Sequence, residues 1–156
     1  MSGFLRHLLY IKKSKAMGIV NDFVASYGFA GDRLSLRLAK TSRNGLAYED
    51  FSNIVADSPI PEESWADLLH VSERTMQRYK KDQKPFESIH CERILKLAML
   101  FKFGEEVFGD MDLFKSWLFE TSIPLGSQTP FSLLDTSFGM DLVKDELGRI
   151  QHGIFV

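Results

Sequence analysis

Apolar side chains recur along this chain at helical spacing. In "ILKLAMLF", Ile94, Leu97, Ala98 and Phe101 follow the i, i+3, i+4, i+7 rhythm that gathers one face of an α-helix, and strict alternation is sustained nowhere. Turn-forming clusters interrupt the pattern at "SRNG" (Ser42 to Gly45), "DSPIP" (Asp57 to Pro61), "DQKP" (Asp82 to Pro85), "FGD" (Phe108 to Asp110), "SIPLGSQTP" (Ser122 to Pro130) and "FG" (Phe138, Gly139). The segments between them predict helices, so the expected fold class is all-α.

Two helix starts are well marked. Pro61 precedes Glu62 and Glu63, a first-turn proline followed by charges that suit the positive end of a helix. Thr129 before Pro130 reads as an N-cap with proline at N1, opening a short helix "PFSLLDT" that stops near Gly139. The first 44 residues are expected to form a helical extension, although "GIVNDFVASYGFAG" is bounded by glycines.

The stretch "EESWADLLHVSERTMQRYKKDQ" has the positional logic of a helix-turn-helix. Ala66 is small where two helices must cross, Leu69 and Val71 flank the turn, and Ser72 is placed to cap the second helix. Met76 and Tyr79, three residues apart, should face inward, which turns Glu73, Arg74, Gln77, Arg78, Lys80 and Lys81 elsewhere. Arg pairs bidentately with guanine and Gln with adenine in the major groove, so Arg74, Gln77 and Arg78 are the expected base readers. Lys80, Lys81 and Lys84 are the expected phosphate contacts, with Ser72 and Thr75 at the start of the same helix as further DNA contacts. A solvated cationic helix face is the plain alternative. His70 stands where such turns commonly carry glycine.

Composition narrows the class without naming a function. The chain has 156 residues, of which 44% are hydrophobic and 26% charged, an ordinary globular balance that allows one domain or two small ones. The net charge of −2 hides a division: residues 1–69 balance at zero, residues 70–102 at +4 and residues 103–156 at −6. A basic middle beside an acidic end predicts two different partners, one of them polyanionic. The single cysteine, Cys91, excludes an internal disulfide and a cysteine-built zinc site, and "FLRHLLYIKK" is too short and interrupted for a signal peptide or membrane span. The expectation is a cytoplasmic protein with no membrane association.

Catalytic and cofactor motifs are missing from the sequence. There is no HExxH, GxGxxG or Walker loop, and His7, His70, His90 and His152 are too scattered for a zinc cluster, so no cofactor and no metal is expected. His90 and Cys91 are neighbours that point apart on a helix, which favours packing over nucleophilic catalysis. The adjacent pairs Glu105, Glu106 and Asp145, Glu146 read as solvated charge, and Trp117, Leu118 and Phe119 as core. The chain is expected not to be an enzyme. Gly148 within "DELGRIQHG" stands out, because a mid-helix glycine costs about 0.5–1 kcal/mol relative to alanine and predicts a close backbone approach.

From about Gly45 to the end the chain resembles the antitoxins of the Xre/MbcA/ParS type that accompany RES-domain toxins. The resemblance rests on "GLAYEDF", "LHVSERTMQRYKKD", "ERILKLAMLF", "EVFGD", Trp117 with Leu118, "LGSQTPFSLLDTSFG" and "VKDELGRIQHGIF". The helix-turn-helix part is generic to many regulators, whereas the last three motifs in order are specific to the toxin-binding domain of this family. Ser127 stands where the family's loop usually has a second glycine, and "KPFESIHCER" replaces a more acidic lead into the long helix. The resemblance implies an antitoxin that silences an NAD-consuming RES toxin and represses its own operon by binding operator DNA, and a homodimer is expected because a helix-turn-helix reads paired half-sites through two-fold symmetry. It also implies that the chain's end lies at the toxin's NAD pocket, through Arg149, Ile150, Gln151, His152, Gly153, Ile154, Phe155 and Val156.

The expected organisation is an N-terminal extension over 1–44, an Xre-like helix-turn-helix domain over 45–104 and a toxin-binding domain over 105–156. Two rivals stay open at this point. One is an autonomous helix-turn-helix transcription regulator without a toxin partner. The other is an interaction module whose helix-turn-helix no longer binds DNA.

Overall fold

A computed structural model describes residues 32–153 of the chain. The stretch "GIVNDFVASYGFAG" and the tail residues Ile154, Phe155 and Val156 lie outside the described residues. Among the described residues seven α-helices follow one another: α1 (Asp32–Asn44), α2 (Tyr48–Ala56), α3 (Ser64–Leu68), α4 (Glu73–Asp82), α5 (Ser88–Phe108), α6 (Met111–Phe119) and α7 (Ser137–Gln151), with a 3-10 turn over Pro130–Leu133 before the last. Strands are absent among the described residues, where β pairing is confined to the isolated bridges Leu46 to Phe86 and Ser122 to Gln128.

Helix α5 is the axis. Ile94, Leu97, Ala98 and Phe101 are all buried, as their spacing predicts, and Cys91, Leu95, Leu100, Phe103 and Gly104 are buried with them. A helix apolar on so many sides must be covered on as many. On one side α1 lies against it, with Ser42 Oγ donating to the Ser88 carbonyl at 3.3 Å. On others α6 and α7 pack against it, α6 near its C-terminal end through Phe114 beside Phe101 and Phe108.

Aromatic rings carry the core from one end of α5 to the other. Phe86 stacks on Tyr79 at 4.5 Å between centroids and meets Phe51 at 4.6 Å, Phe51 meets Trp65 edge-on at 5.4 Å, and Trp65 meets Phe101 edge-on at 6.1 Å. Phe101 then faces Phe114 at 6.4 Å, and Phe114 lies beside Trp117 at 6.1 Å. Burying each such ring contributes about 1.5–3 kcal/mol, and pairs at these separations add about 0.5–1.5 kcal/mol. The chain of rings joins the helix-turn-helix end to the C-terminal end through a single continuous core.

Several local expectations are corrected. Ser42, Arg43 and Asn44 belong to α1, which runs on until Gly45 takes a φ of 81°. The helix after Pro61 begins at Ser64, with Pro61 to Glu63 forming a tight turn whose carbonyls accept from Ser64 and Trp65. Thr129 does cap the segment at Pro130, its Oγ1 accepting from the Ser132 N–H at 3.3 Å, but the 3-10 turn is only four residues long. Gly139 ends nothing: it lies in the first turn of α7, its N–H donating to Thr136 Oγ1 at 3.0 Å. Glycine is required there because an added Cβ would sit 1.8 Å from the Leu133 carbonyl oxygen. Of the apolar trio, Leu118 is buried and Trp117 half-buried, whereas Phe119 is exposed and lies against Phe131 at 4.8 Å.

Candidate functional site

Helix α4 is built outward from its cap. Ser72 is extended, and its Oγ accepts from the Thr75 N–H at 3.1 Å while lying 2.9 Å from Thr75 Oγ1. Both hydroxyls are therefore already engaged in holding the helix start. Met76 and Tyr79 are buried, which fixes the rotation of the helix. Arg74, Gln77, Arg78 and Lys81 are exposed and follow i, i+3, i+4, i+7, so they form one outward stripe of three cations and an amide. That stripe has the side chains that recognise purine edges and phosphates in a major groove.

Lys80 and Lys84 are placed differently. Lys80 Nζ donates to Glu62 Oε1 at 3.0 Å, a bond that holds its pKa above the ordinary lysine value. The pair sits beside Tyr48, whose hydroxyl pKa is raised by burial, with Lys80 acting against the shift and Glu62 adding to it. Lys84 follows the left-handed cap at Gln83, and its Nζ lies over the Tyr79 ring at 5.9 Å.

The turn between α3 and α4 contains a feature that spacing did not reveal. His70 adopts a φ of 55°, the left-handed geometry commonly left to glycine, and its Nε2 donates to the Asp135 carbonyl at 2.9 Å. Arg93 on α5 spans the same gap, its Nε donating to the Leu68 carbonyl and its Nη2 to the Leu134 and Asp135 carbonyls. Burial lowers the Arg93 pKa, opposed by the Asp135 charge. Two side chains thus clasp the helix-turn-helix turn to the residues just ahead of α7. Their only sequence trace is a histidine at a glycine position and one arginine facing inward in "ERILKLAMLF".

At the other end, α7 starts on Thr136 and buries Met140, Val143, Glu146 and Leu147. The expectation that Glu146 is solvated is overturned: it is buried, and Arg149 Nε donates to its Oε2 at 2.7 Å. Arg149 and Ile150 are half-buried, and Gln151, His152 and Gly153 are exposed at the helix end. Gly153, at a φ of 69°, donates to the Ile150 carbonyl at 3.0 Å. The expected close approach at Gly148 is not met among the described residues, none of which would lie within 4 Å of a Cβ there.

Cys91 is fully buried, with Sγ donating to the Thr41 carbonyl at 3.7 Å, and burial pushes its thiol up to about 11. A thiol held protonated this firmly is a packing group, as its position beside His90 suggested. Among the described residues no three His, Cys, Asp or Glu side chains gather as a metal site, and no helix is long and apolar enough to cross a membrane.

With this geometry in hand, comparison with known proteins is decisive. The Antitoxin Xre-like helix-turn-helix domain matches residues 37–99, and the Antitoxin Xre/MbcA/ParS C-terminal toxin-binding domain matches residues 103–153. The chain belongs to the Xre-type antitoxins. It is 29% identical over 122 residues to the Prs ADP-ribosylating antitoxin of Sphingobium sp. (strain YBL2), covering 72% of this chain and 77% of that one. It is 25% identical over 119 residues to the antitoxin Xre of Yersinia enterocolitica, covering 76% and 80%. Over 92 residues it is 29% identical to the antitoxin Xre of Photorhabdus laumondii, covering 56% and 62%. The antitoxin's two matched regions meet inside α5, so one uninterrupted helix serves both the DNA-binding fold and the toxin-binding fold.

Proposed function

We propose that the antitoxin neutralises a RES-domain toxin that consumes NAD, by laying the end of α7 and the tail after it across the toxin's NAD pocket. The carrying observation is the match of residues 103–153 to a toxin-binding domain, which brings the match to the exposed helix end at Gln151, His152 and Gly153. In this reading Arg149, Ile150, Gln151, His152, Gly153, Ile154, Phe155 and Val156 make the inhibitory contacts. An ADP-ribosylating activity draws on NAD as donor, so the Sphingobium relative's name favours an NAD-handling partner. The acidic end of the chain suits a partner whose pocket must attract phosphates.

The same reading gives the antitoxin a second task, repression of its own operon as a homodimer. Arg74, Gln77 and Arg78 read bases, and Lys81 contacts phosphate with help from Ser72, Thr75, Lys80 and Lys84. Two-fold symmetry would space two α4 helices one DNA turn apart. Residues 45–104 bind DNA, residues 105–156 bind toxin, and residues 1–44 extend the first unit. The antitoxin acts in the cytoplasm and performs no catalysis.

The test is cellular NAD after induction of the adjacent gene, alone, with the full chain, or with a chain ending at Leu147. NAD should fall alone, be preserved by the full chain and fall again with the truncation. Unchanged NAD on induction alone would remove the toxin reading and favour an autonomous regulator.

A further inference from the structure

A cleft lies where the helix-turn-helix region meets the C-terminal unit, and neither DNA reading nor toxin binding uses it. Its volume is about 470 Å³, inside the range of about 300–1,000 Å³ typical of small-molecule sites, and it opens beside the clasp of His70 and Arg93. One wall comes from the turn at Leu69 and His70 and from the first half of α5, within residues 37–99. The other comes from Ser137 and Met140 at the start of α7, within residues 103–153. Junctions of this kind are preferred places for ligands, because two separately built surfaces leave a recess where they meet.

The lining divides into two chemistries. Leu69, Ile89 and Met140 are apolar, and Ile89 stands uncovered at the rim, 74% exposed. A single exposed isoleucine is ordinary, but this one borders four nitrogen-bearing side chains, His70, His90, Arg93 and Lys96. Arg93 spends Nε and Nη2 on the carbonyls of Leu68, Leu134 and Asp135, and its Nη1 has no hydrogen bond among the described residues. Lys96 Nζ lies 3.7 Å from Glu92 Oε1 in an exposed ion pair, a contact that holds the ammonium only weakly. Two fixed cations against the one carboxylate of Glu92 leave the lining net positive before either histidine is protonated, while the charge of Asp135 reaches Arg93 from outside it.

We propose that this cleft binds a nucleoside phosphate, with the phosphate on Arg93 Nη1, Lys96 and the Ser137 hydroxyl and the base against Leu69, Ile89 and Met140. Guanidinium and ammonium groups are the side chains that hold phosphate, and a flat base needs an apolar wall beside them. The backbone of DNA fits less well, since Arg74, Gln77, Arg78 and Lys81 all lie outside the lining. A ligand seated here touches both units at their clasp, so its binding stabilises the junction between them.

Calorimetry and thermal unfolding of the full chain with ADP, adenosine or pyrophosphate test the site. ADP should bind and raise Tm, and adenosine and pyrophosphate should each bind at least about tenfold more weakly, because each lacks one half of the match. Lys96→Gln should weaken ADP binding about tenfold, the loss of one charge-assisted hydrogen bond, while Tm without ligand stays unchanged because the pair with Glu92 is exposed. Ser137→Trp should fill the cleft and abolish binding, whereas Arg74→Ala with Arg78→Ala should leave it intact. No binding of ADP at millimolar concentration, or ADP binding that survives both Lys96→Gln and Ser137→Trp, would overturn the site. Pyrophosphate as tight as ADP would overturn the nucleoside as the ligand class. Loss of operator affinity in Lys96→Gln and Ser137→Trp, with no ADP bound by the wild type, would overturn the proposal and make the cleft a DNA contact.

Discussion

His70 and Asp135 are 65 residues apart in sequence, and His70 Nε2 donates to the Asp135 carbonyl at 2.9 Å. The bond ties the turn of the helix-turn-helix to the segment that launches α7, and Arg93 reinforces it from α5. The left-handed backbone of His70 has a cost, about 1–2 kcal/mol for a residue with a Cβ, that a glycine would avoid. Histidine at this position is explained by what its ring reaches.

His70→Ala keeps the backbone cost and loses the ring bond, so it should destabilise the antitoxin by about 0.5–1.5 kcal/mol. His70→Gly removes both and should lose less than His70→Ala. Urea titrations of the two variants check the order, and a His70→Ala protein as stable as wild type would show that the clasp contributes nothing.

Gly139→Ala should be among the most damaging small changes in the C-terminal unit. The added Cβ would lie 1.8 Å from the Leu133 carbonyl oxygen, which is backbone and has no rotamer to escape into. Overpacking of this kind costs about 1–3 kcal/mol, and thermal unfolding should show a clear drop in Tm. Gly148→Ala is the natural control, because open space there predicts a rise.

These two glycines show where sequence reading succeeds and where it stops. Periodicity located the buried stripe of Ile94, Leu97, Ala98 and Phe101 and the inward pair Met76 and Tyr79, because burial repeats with the helix turn. Capping was legible at Ser72 and Thr129, because it depends on residues three apart. Space is not local. Gly139 looked like a stop but is a close contact, and Gly148 looked like a close contact but has open space around it among the described residues. The same blindness hid the partners of Lys80 and Arg93, each set by an element whose placement the pattern does not specify, and it hid the burial of Glu146. At the candidate DNA face the residue types and their grouping were legible, while the diversion of Lys80 onto Glu62 was not.

Cys91 supplies a pH dependence. Its thiol titrates near 9.0 when free of the fold and at about 11 when buried, with burial the first cause and the charge of Glu92 the second. Below pH 9 the thiol is protonated in both states and its full stabilising contribution is present. Between about 9 and about 11 the unfolded state loses the proton first, so that stability falls as pH rises. Cys91→Ser should flatten this part of the profile, and alkylation of the native protein at pH 8 should be slow until denaturant is added. Rapid native alkylation would place the thiol outside the core.

The DNA face makes the sharpest separation of the two tasks. Arg74→Ala with Arg78→Ala should abolish operator binding while toxin neutralisation stays intact, because both side chains are exposed on α4, outside the region matched to the toxin-binding domain. Lys81→Ala should weaken binding to all sequences alike and reduce the salt slope by about one. Lys80→Ala should change affinity less than Lys81→Ala, since its ammonium already lies on Glu62 at 3.0 Å and must leave that carboxylate to reach a phosphate. Glu62→Gln frees the ammonium, so operator affinity should rise modestly, most at low salt where phosphate attraction is least screened. Gel shifts across a salt series read all four variants. Equal losses from Lys80→Ala and Lys81→Ala, with no gain from Glu62→Gln, would mean that the ion pair opens whenever DNA arrives.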